Sequence, residues 1–549
     1  MKNQQLRSYT KLLCSALRAV FYLSAFIFTL TISAQTTTKG FQWIQHHGDG
    51  ITKNDEKVEA IQTDRWGNIY VAGQVNDLFV RDSSGTNIKS KLNPLLDSLE
   101  NYGGLDVWLA KYDPQGNLLW HRYAGGGGDD AYYDMVADEN GNCYISGSVF
   151  YHNVREHFSF NRVPLLEKDF SSFIAKVNSN GDLVWHKTFG GDTVYLPGAN
   201  GVYVPYFANP YNLSLQGNTI SCFFRGGGDQ GFFGYQKLFN QDSLQNGIHE
   251  AKFDLNGNYL EAHTLPFPRL DRLPQITSIQ SNQYGTVVSG NLNRDTVLVG
   301  NDTLVKTGSD NAFAAFFDTS YNYTNTIYGS SSIDQFPDAS LYGDTLLVAG
   351  HFSLFQNKTV RFDTVTYTGS TNEGQAGGIF IFDATSNRLL GLYPSKSIGT
   401  PITRVDMSAA YVDQNSFGVA GIFDYKMTFT GSSNYIEAVD NCINCRNSDL
   451  FFTLFDRTGN SIAEDVIYTS ARINSAIFAM HRKDSMLYIG GFVGDSVIIE
   501  GVDTFVTRGS NDAFVAAYNV GLVTSIKENS TYVKADNGIL AYPNPTQGQ

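Results

Sequence analysis

The sequence is short of several things at once. Charged residues make up only 17% of it, and no stretch concentrates Lys and Arg. With a net charge of −14, this speaks against nucleic acid and anionic membranes as partners, since both are held through clustered cations. An acidic, cation-poor surface reads as a means to solubility. Proline is scarce, 14 in 549 residues, so long Pro-rich or disordered tracts are not expected. One apolar run stands out, Ala19 to Ile32, preceded by Lys2, Arg7, Lys11 and Arg18 and followed by the small residues Ser33-Ala34. It is short for a membrane span and has the layout of a secretory signal over residues 1–34. The mature chain is therefore expected to be exported, with no transmembrane segment.

Cysteine is rare too. Of five, Cys14 leaves with the signal, and Cys143 and Cys222 fall in expected strands as buried thiols. Cys442 and Cys445 form a C-x-x-C in a polar loop. In an exported protein that is most simply a local disulfide. A redox motif would want a thioredoxin-like βαβ setting, and zinc would need two further ligands, neither of which is visible nearby.

What the chain has in plenty is glycine (53), tyrosine (31) and phenylalanine (38), the composition of many short strands joined by tight turns. The stretch Asp106–Val149 shows the plan. An alternating apolar run enters a D-x-x-G-N turn, a second run follows with a Trp-to-Gly spacing, and the device repeats. The first strand of that stretch, read as strand c of four (a to d), recurs as Asp106–Asp113, Ser172–Asn178, His249–Asp254, Asn311–Asp318, Gly377–Asp383, Asp449–Asp456 and Asp512–Asn519. Seven copies at a long period predict an all-β, seven-bladed β-propeller of four-stranded blades, with room for inserted hairpins. The d strand has the form Trp120 to Gly125 and Trp185 to Gly190, and Trp43 to Gly48 repeats it with no c strand before it. The final c strand, in turn, has no d strand after it. The N-terminal strand is therefore expected to pair with the last blade and close the ring, which removes exposed sheet edges. The domains read as signal peptide 1–34, propeller 35–520, linker 521–540 and a terminal element 541–549.

Strand alternation puts the a–b and c–d turns on one face and the longer b–c and d–a connections on the other, where binding residues tend to gather. Asp49, Asp129, Asp130, Asp192 and Asp334 fall in d–a connections and are candidate ligand-binding residues; solvated loop acids are the alternative. The D-x-x-G-N turns lack the ligand series of a calcium loop and read as Asx turns. His46, His47, His121 and His186 lie on outer strands and read as structural, so no metal site is expected. Asp-Ser/Thr followed by an apolar residue recurs, for example at Asp295, Asp302 and Asp503; it reads as a turn leading into a strand, and it also resembles the acceptor motif for O-glycosylation in Bacteroidetes.

Asp512-Ala-Phe-Val-Ala-Ala-Tyr-Asn519, Asp106-Val-Trp-Leu-Ala-Lys-Tyr-Asp113 and Asp138-Glu-Asn-Gly-Asn-Cys-Tyr-Ile-Ser-Gly147 resemble the bacterial SBBP-type propeller family over about Phe41 to Asn519. The resemblance implies an exported propeller with no shared catalytic residues. Tyr542, Pro543, Asn544, Pro545 and Gly548 resemble the opening of the type A sorting domain of the type IX secretion system of Bacteroidetes. That implies the type IX machinery as a partner and a secreted or outer-membrane-surface location, with residues 541–549 as the truncated start of such a domain.

No G-x-S-x-G elbow, H-E-x-x-H, phosphate loop or dinucleotide fingerprint is present. The expectation is a non-enzymatic, monomeric binding or adhesion module without cofactors, taking an unknown protein or glycan ligand on its long-loop face. The alternatives are a propeller lyase or hydrolase acting on glycans, whose carboxylates would come from different blades, and a structural surface component.

Overall fold

The computed structural model divides the chain into two units, Met1–Lys39 and Gly40–Gln549. It describes the strands and tight turns between residues 39 and 521; residues 1–38, 522–549 and parts of the longer connections lie outside the described residues. The second unit is a seven-bladed β-propeller of four-stranded antiparallel sheets. In chain order the strands a to d of blade 1 are Lys57–Thr63, Ile69–Asp77, Gly104–Tyr112 and Leu118–Gly125. Blades 2 to 6 have inner (a) strands Ala131–Ala137, Ala208–Gln216, Gln275–Asn282, Asp334–Tyr342 and Val405–Val412, and outer (d) strands Leu183–Phe189, Tyr259–Leu265, Tyr323–Tyr328, Arg388–Ser397 and Ser461–Thr469. The seven c strands lie at the positions read from the sequence, within a residue or two at their ends.

Blade 7 closes the ring as expected. Its strands a to c are Ser475–Lys483, Met486–Val493 and Asp512–Asn519, and its outer strand is Gly40–His47 from the other end of the unit. Trp43 pairs with Ala517 and His46 with Phe514. His47 is buried against Trp108 and hydrogen-bonds the phenol of Tyr112 in blade 1. Burial, with His46 and His121 nearby, pushes the His47 imidazole down to about 3, so it stays neutral and holds the closure by packing and hydrogen bonding.

The repeat signature residues turn out to join blades. In each Asx turn the aspartate collects the turn's donors: Asp113 Oδ1 accepts from Gln115 N and Asn117 N, and Oδ2 accepts from Asn117 Nδ2, at 2.8–2.9 Å. Asp64, Asp138, Asp254, Asp318 and Asp456 repeat the set. These carboxylate oxygens serve the turn itself. The outer-strand tryptophans then reach the next blade's c–d turn. Trp43 Nε1 donates to Pro114 O, Trp120 to Ser179 O and Trp185 to Leu255 O, at 3.0–3.1 Å. The turn residue beneath the indole must be glycine: at Gly116 and Gly257 φ is +86° and +81°, and a Cβ would come within 2.6 and 2.7 Å of the Trp43 and Trp185 rings.

Blades 3 to 6 lack this anchor. Opposite Lys252 the tryptophan position holds Glu261, 2.9 Å from Lys252 Nζ, and the turn glycine is replaced by Tyr321 at φ 63°. The Tyr321 ring stacks on His263 at 4.4 Å and its phenol donates to Glu250. A polar assembly thus stands where an indole does elsewhere.

Every b–c connection carries a two-stranded hairpin, for example Thr296–Val299 with Asp302–Val305. Three of them pair with the outer strand of the preceding blade: Ser159 and Phe160 with Gly125 and Ala124, Met427 to Phe429 with Ser397 to Ser395, and Val497 and Ile498 with Thr469 and Tyr468. A fourth makes the corresponding main-chain contact, Gly300 N to Pro266 O at 3.0 Å. Their inward residues Val297, Val299, Met427, Phe429, Val497 and Ile499 are buried in the clusters between blades. These insertions therefore cover open sheet edges at the rim. An added hairpin, Thr193–Leu196 with Val202–Pro205, precedes the inner strand of blade 3. Cys143 and Cys222 are buried free thiols, and burial raises both pKa values. No helix among the described residues is long and apolar enough to cross a membrane.

Candidate functional site

All seven inner strands break their pairing register at the same place: between Val58 and Ala60, Tyr132 and Asp134, Pro210 and Leu213, Ile276 and Ser278, Gln335 and Asp338, Met407 and Ala409, and Ile477 and Ala479. Each is a β-bulge, which re-aims a side chain and leaves main-chain groups without a ladder partner. The residues at these irregularities, Glu59, Tyr133, Tyr211, Thr277, Pro337, Ser408 and Phe478, all line one axial cavity of about 1010 Å3. The cavity runs from this ring to the a–b turns, where Glu139, Tyr342, Gln414, Asn415 and Asp484 are exposed at its mouth.

The groups freed by the bulges are satisfied across blades. Asp134 Oδ2 accepts from Leu213 N of blade 3 at 2.7 Å, and Oδ1 from its neighbour Met135 N. Asn212 Oδ1 accepts from Ile279 N of blade 4 at 2.7 Å. Asp338 Oδ2 accepts from Ala410 N of blade 6 at 2.8 Å, and Oδ1 from Ala339 N. Thr277 and Ser408 donate to Phe336 O and Ile477 O, each at 2.5 Å. Both axial aspartates lose solvation, which pushes Asp134 up to about 6 and Asp338 up to about 7 against the opposing pull of those N–H groups. Burial of the charged form outweighs the hydrogen bonds. Nearer the mouth, Thr63 Oγ1 and His481 Nε2 are 2.9 Å apart, and burial lowers the His481 imidazole to about 4. Tyr411 Oη donates to Asp413 Oδ2 at 2.9 Å, and Arg482 Nε to Asp484 O at 2.9 Å.

Of the acids picked from the sequence, Asp130 is fully buried, with its N–H donating to Leu105 O. Asp334 opens the inner strand of blade 5, its main chain opposite Phe352. Asp130 does not line the axial cavity. Asp49, Asp129 and Asp192 lie outside the described residues, as do Cys442, Cys445, Tyr542, Pro543, Asn544, Pro545 and Gly548. His46 and His121 sit on outer strands, as expected, with His46 Nδ1 3.5 Å from Asp512. The bulge ring was missed in the sequence. Its trace is a slip in the period-two pattern, where Ala60-Ile61, Ala409-Ala410 and Ala479-Met480 are consecutive buried residues.

No family model matches the chain, and no curated protein matches it. Among solved structures it is similar to BamB from Moraxella catarrhalis, at 8% identity over 75% of this chain and 91% of that one, with a TM-score of 0.30. It is also similar to the endosialidase of phage phi92, at 9% identity over 91% and 72%, TM-score 0.35. A third is Drosophila plexin A in complex with semaphorin 1b, at 7% identity over 71% and 85%, TM-score 0.25. The fold stands on the strand order above, and none of these similarities carries chemistry to this chain.

Proposed function

We propose that this chain is an exported, non-enzymatic binding module that takes its ligand on the propeller ring. The observation behind this reading is the commitment of the axial carboxylates. Each oxygen of Asp134 and Asp338 accepts a main-chain N–H, one of them from the neighbouring blade. Such carboxylates hold blades together, while the cavity around them offers a polar wall of amides, hydroxyls and phenols suited to recognition. Export rests on residues 1–34, and delivery to the cell surface or medium by the type IX machinery rests on the resemblance at Tyr542 to Gly548. The SBBP-type resemblance agrees with a repeat scaffold whose signature residues are structural. The long-loop face remains a second surface for a protein or glycan partner.

A glycan-cleaving enzyme is the alternative, and one observation favours it: two carboxylates with raised pKa values line the same cavity. Glycan arrays and affinity capture with the exported chain, run beside assays for reducing ends and unsaturated products, separate the two. Saturable binding without product is expected; turnover of a polysaccharide abolished by Asp134→Asn or Asp338→Asn would overturn the module reading.

A further inference from the structure

The seven residues of the bulge ring are not alike around the axis. Blades 7, 1, 2 and 3 present Phe478, Glu59, Tyr133 and Tyr211; blades 4, 5 and 6 present Thr277, Pro337 and Ser408. Three aromatic side chains and a carboxylate therefore occupy one consecutive arc, and small side chains occupy the rest. Phe478 packs against Phe492, with ring centroids 5.6 Å apart and the planes tilted by 39°. Glu59 Oε1 accepts from Lys57 Nζ at 2.8 Å, and Lys57 lies 5.9 Å from the Phe478 ring centroid. The arc is thus charge-balanced locally, and Glu59 Oε2 has no hydrogen-bond partner. Across the ring, Thr277 and Ser408 spend their protons on neighbouring carbonyls, which leaves their lone pairs as acceptors.

The geometry points to a saccharide subsite at this ring: an uncharged sugar stacks within the arc of Phe478, Tyr133 and Tyr211 and hydrogen-bonds Glu59 Oε2 and the hydroxyls opposite. A sugar ring offers an apolar C–H face to aromatic rings and a rim of hydroxyls to polar groups, which is the combination the arc presents. An anionic ligand meets Glu59, Asp134, Asp338, Glu139, Asp413 and Asp484 on the same cavity wall, with Arg482 and Lys483 set toward the mouth. A small organic cation finds Glu59 already paired. The volume, about 1010 Å3, is at the upper end of small-ligand sites, roughly 300–1,000 Å3, and suits several sugar units. This inference rests on the module reading and names its ligand class.

The test is calorimetric titration of the mature chain with cellohexaose, xylohexaose, mannohexaose and maltohexaose, with a hyaluronan oligosaccharide as the anionic control. One of the neutral probes is expected to bind. Tyr211→Ala and Phe478→Ala should each weaken it roughly tenfold or more, an effect of about 1.4 kcal/mol. Tyr211→Phe, which keeps the ring, should stay within about threefold of wild type, and thermal melting confirms that each variant is folded. A neutral probe bound equally by wild type and both alanine variants would sink the subsite and leave the module reading intact. So would capture of a protein partner by a chain that binds no sugar, or binding of hyaluronan alone. Product formation from a bound probe would instead defeat the module reading, with the subsite upheld if the alanine variants lose that binding.

Discussion

Trp43 Nε1 donates to the carbonyl oxygen of Pro114 at 3.1 Å, so the residue that completes blade 7 also grips the turn of blade 1. Its ring lies 6.5 Å from Tyr112 and 6.1 Å from Tyr488, one on each side of the closure. Trp43→Ala should therefore destabilise the ring by about 3 kcal/mol, within the usual range for truncating a packed aromatic. Trp120→Ala and Trp185→Ala remove the same bond at two other junctions and should cost a similar amount. Trp66→Ala is the control, because Trp66 is 56% exposed, and should change stability by no more than about 0.5 kcal/mol. Denaturant melts of the four variants decide it; a Trp43 variant no weaker than the Trp66 variant would count against the closure as described.

Glycine substitutions separate two costs. Gly217 has φ +56° with nothing within 4 Å of a built Cβ, whereas Gly257 has φ +81° and would meet Trp185 at 2.7 Å. Gly217→Ala should lose about 1 kcal/mol from left-handed strain alone. Gly257→Ala should lose that and more, since the indole must also give way. Equal melting midpoints for the two would show that the indole moves freely.

The axial aspartates make a prediction about pH. Asp338 is raised from 3.8 to about 7, so between those values the folded chain holds a proton that the unfolded chain has released. Its contribution to stability is present below the unfolded pKa and is lost as pH rises through about 7. Asp338→Asn has no such charge to bury but gives up one of the two N–H bonds, at a cost of about 1 kcal/mol. Wild type should exceed the variant at pH 5, and the gap should shrink by pH 8. Melts at the two pH values check the sign, and a gap that widens would contradict the burial of Asp338.

Thiol labelling tests both the buried cysteines and the expected loop disulfide. Cys143 and Cys222 are fully buried with raised pKa values, so iodoacetamide should leave them unmodified in the native mature chain. In denaturant without reductant, mass spectrometry should find those two labelled and Cys442 and Cys445 unlabelled, as a disulfide between the latter requires. Native labelling of Cys222 would contradict its packing; label on Cys442 in denaturant would remove the disulfide.

The sequence displayed the ring because its markers are local. A D-x-x-G-N turn such as Asp113 to Asn117 fixes a hairpin through short-range bonds, and a Trp-to-Gly spacing at Trp43 shows which strand type the chain begins with. The axial cavity stayed hidden because its makers are single inserted residues, and one extra residue such as Ser408 barely disturbs a pattern of period two. The hairpins were visible, as at Thr296 to Val305, but not their destination. Pairing between Met427 and Ser397 depends on how neighbouring blades pack, which no short stretch records. The weaker middle repeats have a physical source as well: Glu261 and Tyr321 replace an indole and a glycine, so the motif fades while the blade persists.

The strand Asp512–Asn519 is held on both edges, by Gly40–His47 on one side and Met486–Val493 on the other. A pull on the chain beyond residue 521 would thus have to tear both of these ladders of blade 7 to free the strand. Tension applied there would be shared between Asp512–Asn519 and Gly40–His47, which lie at opposite ends of the propeller unit.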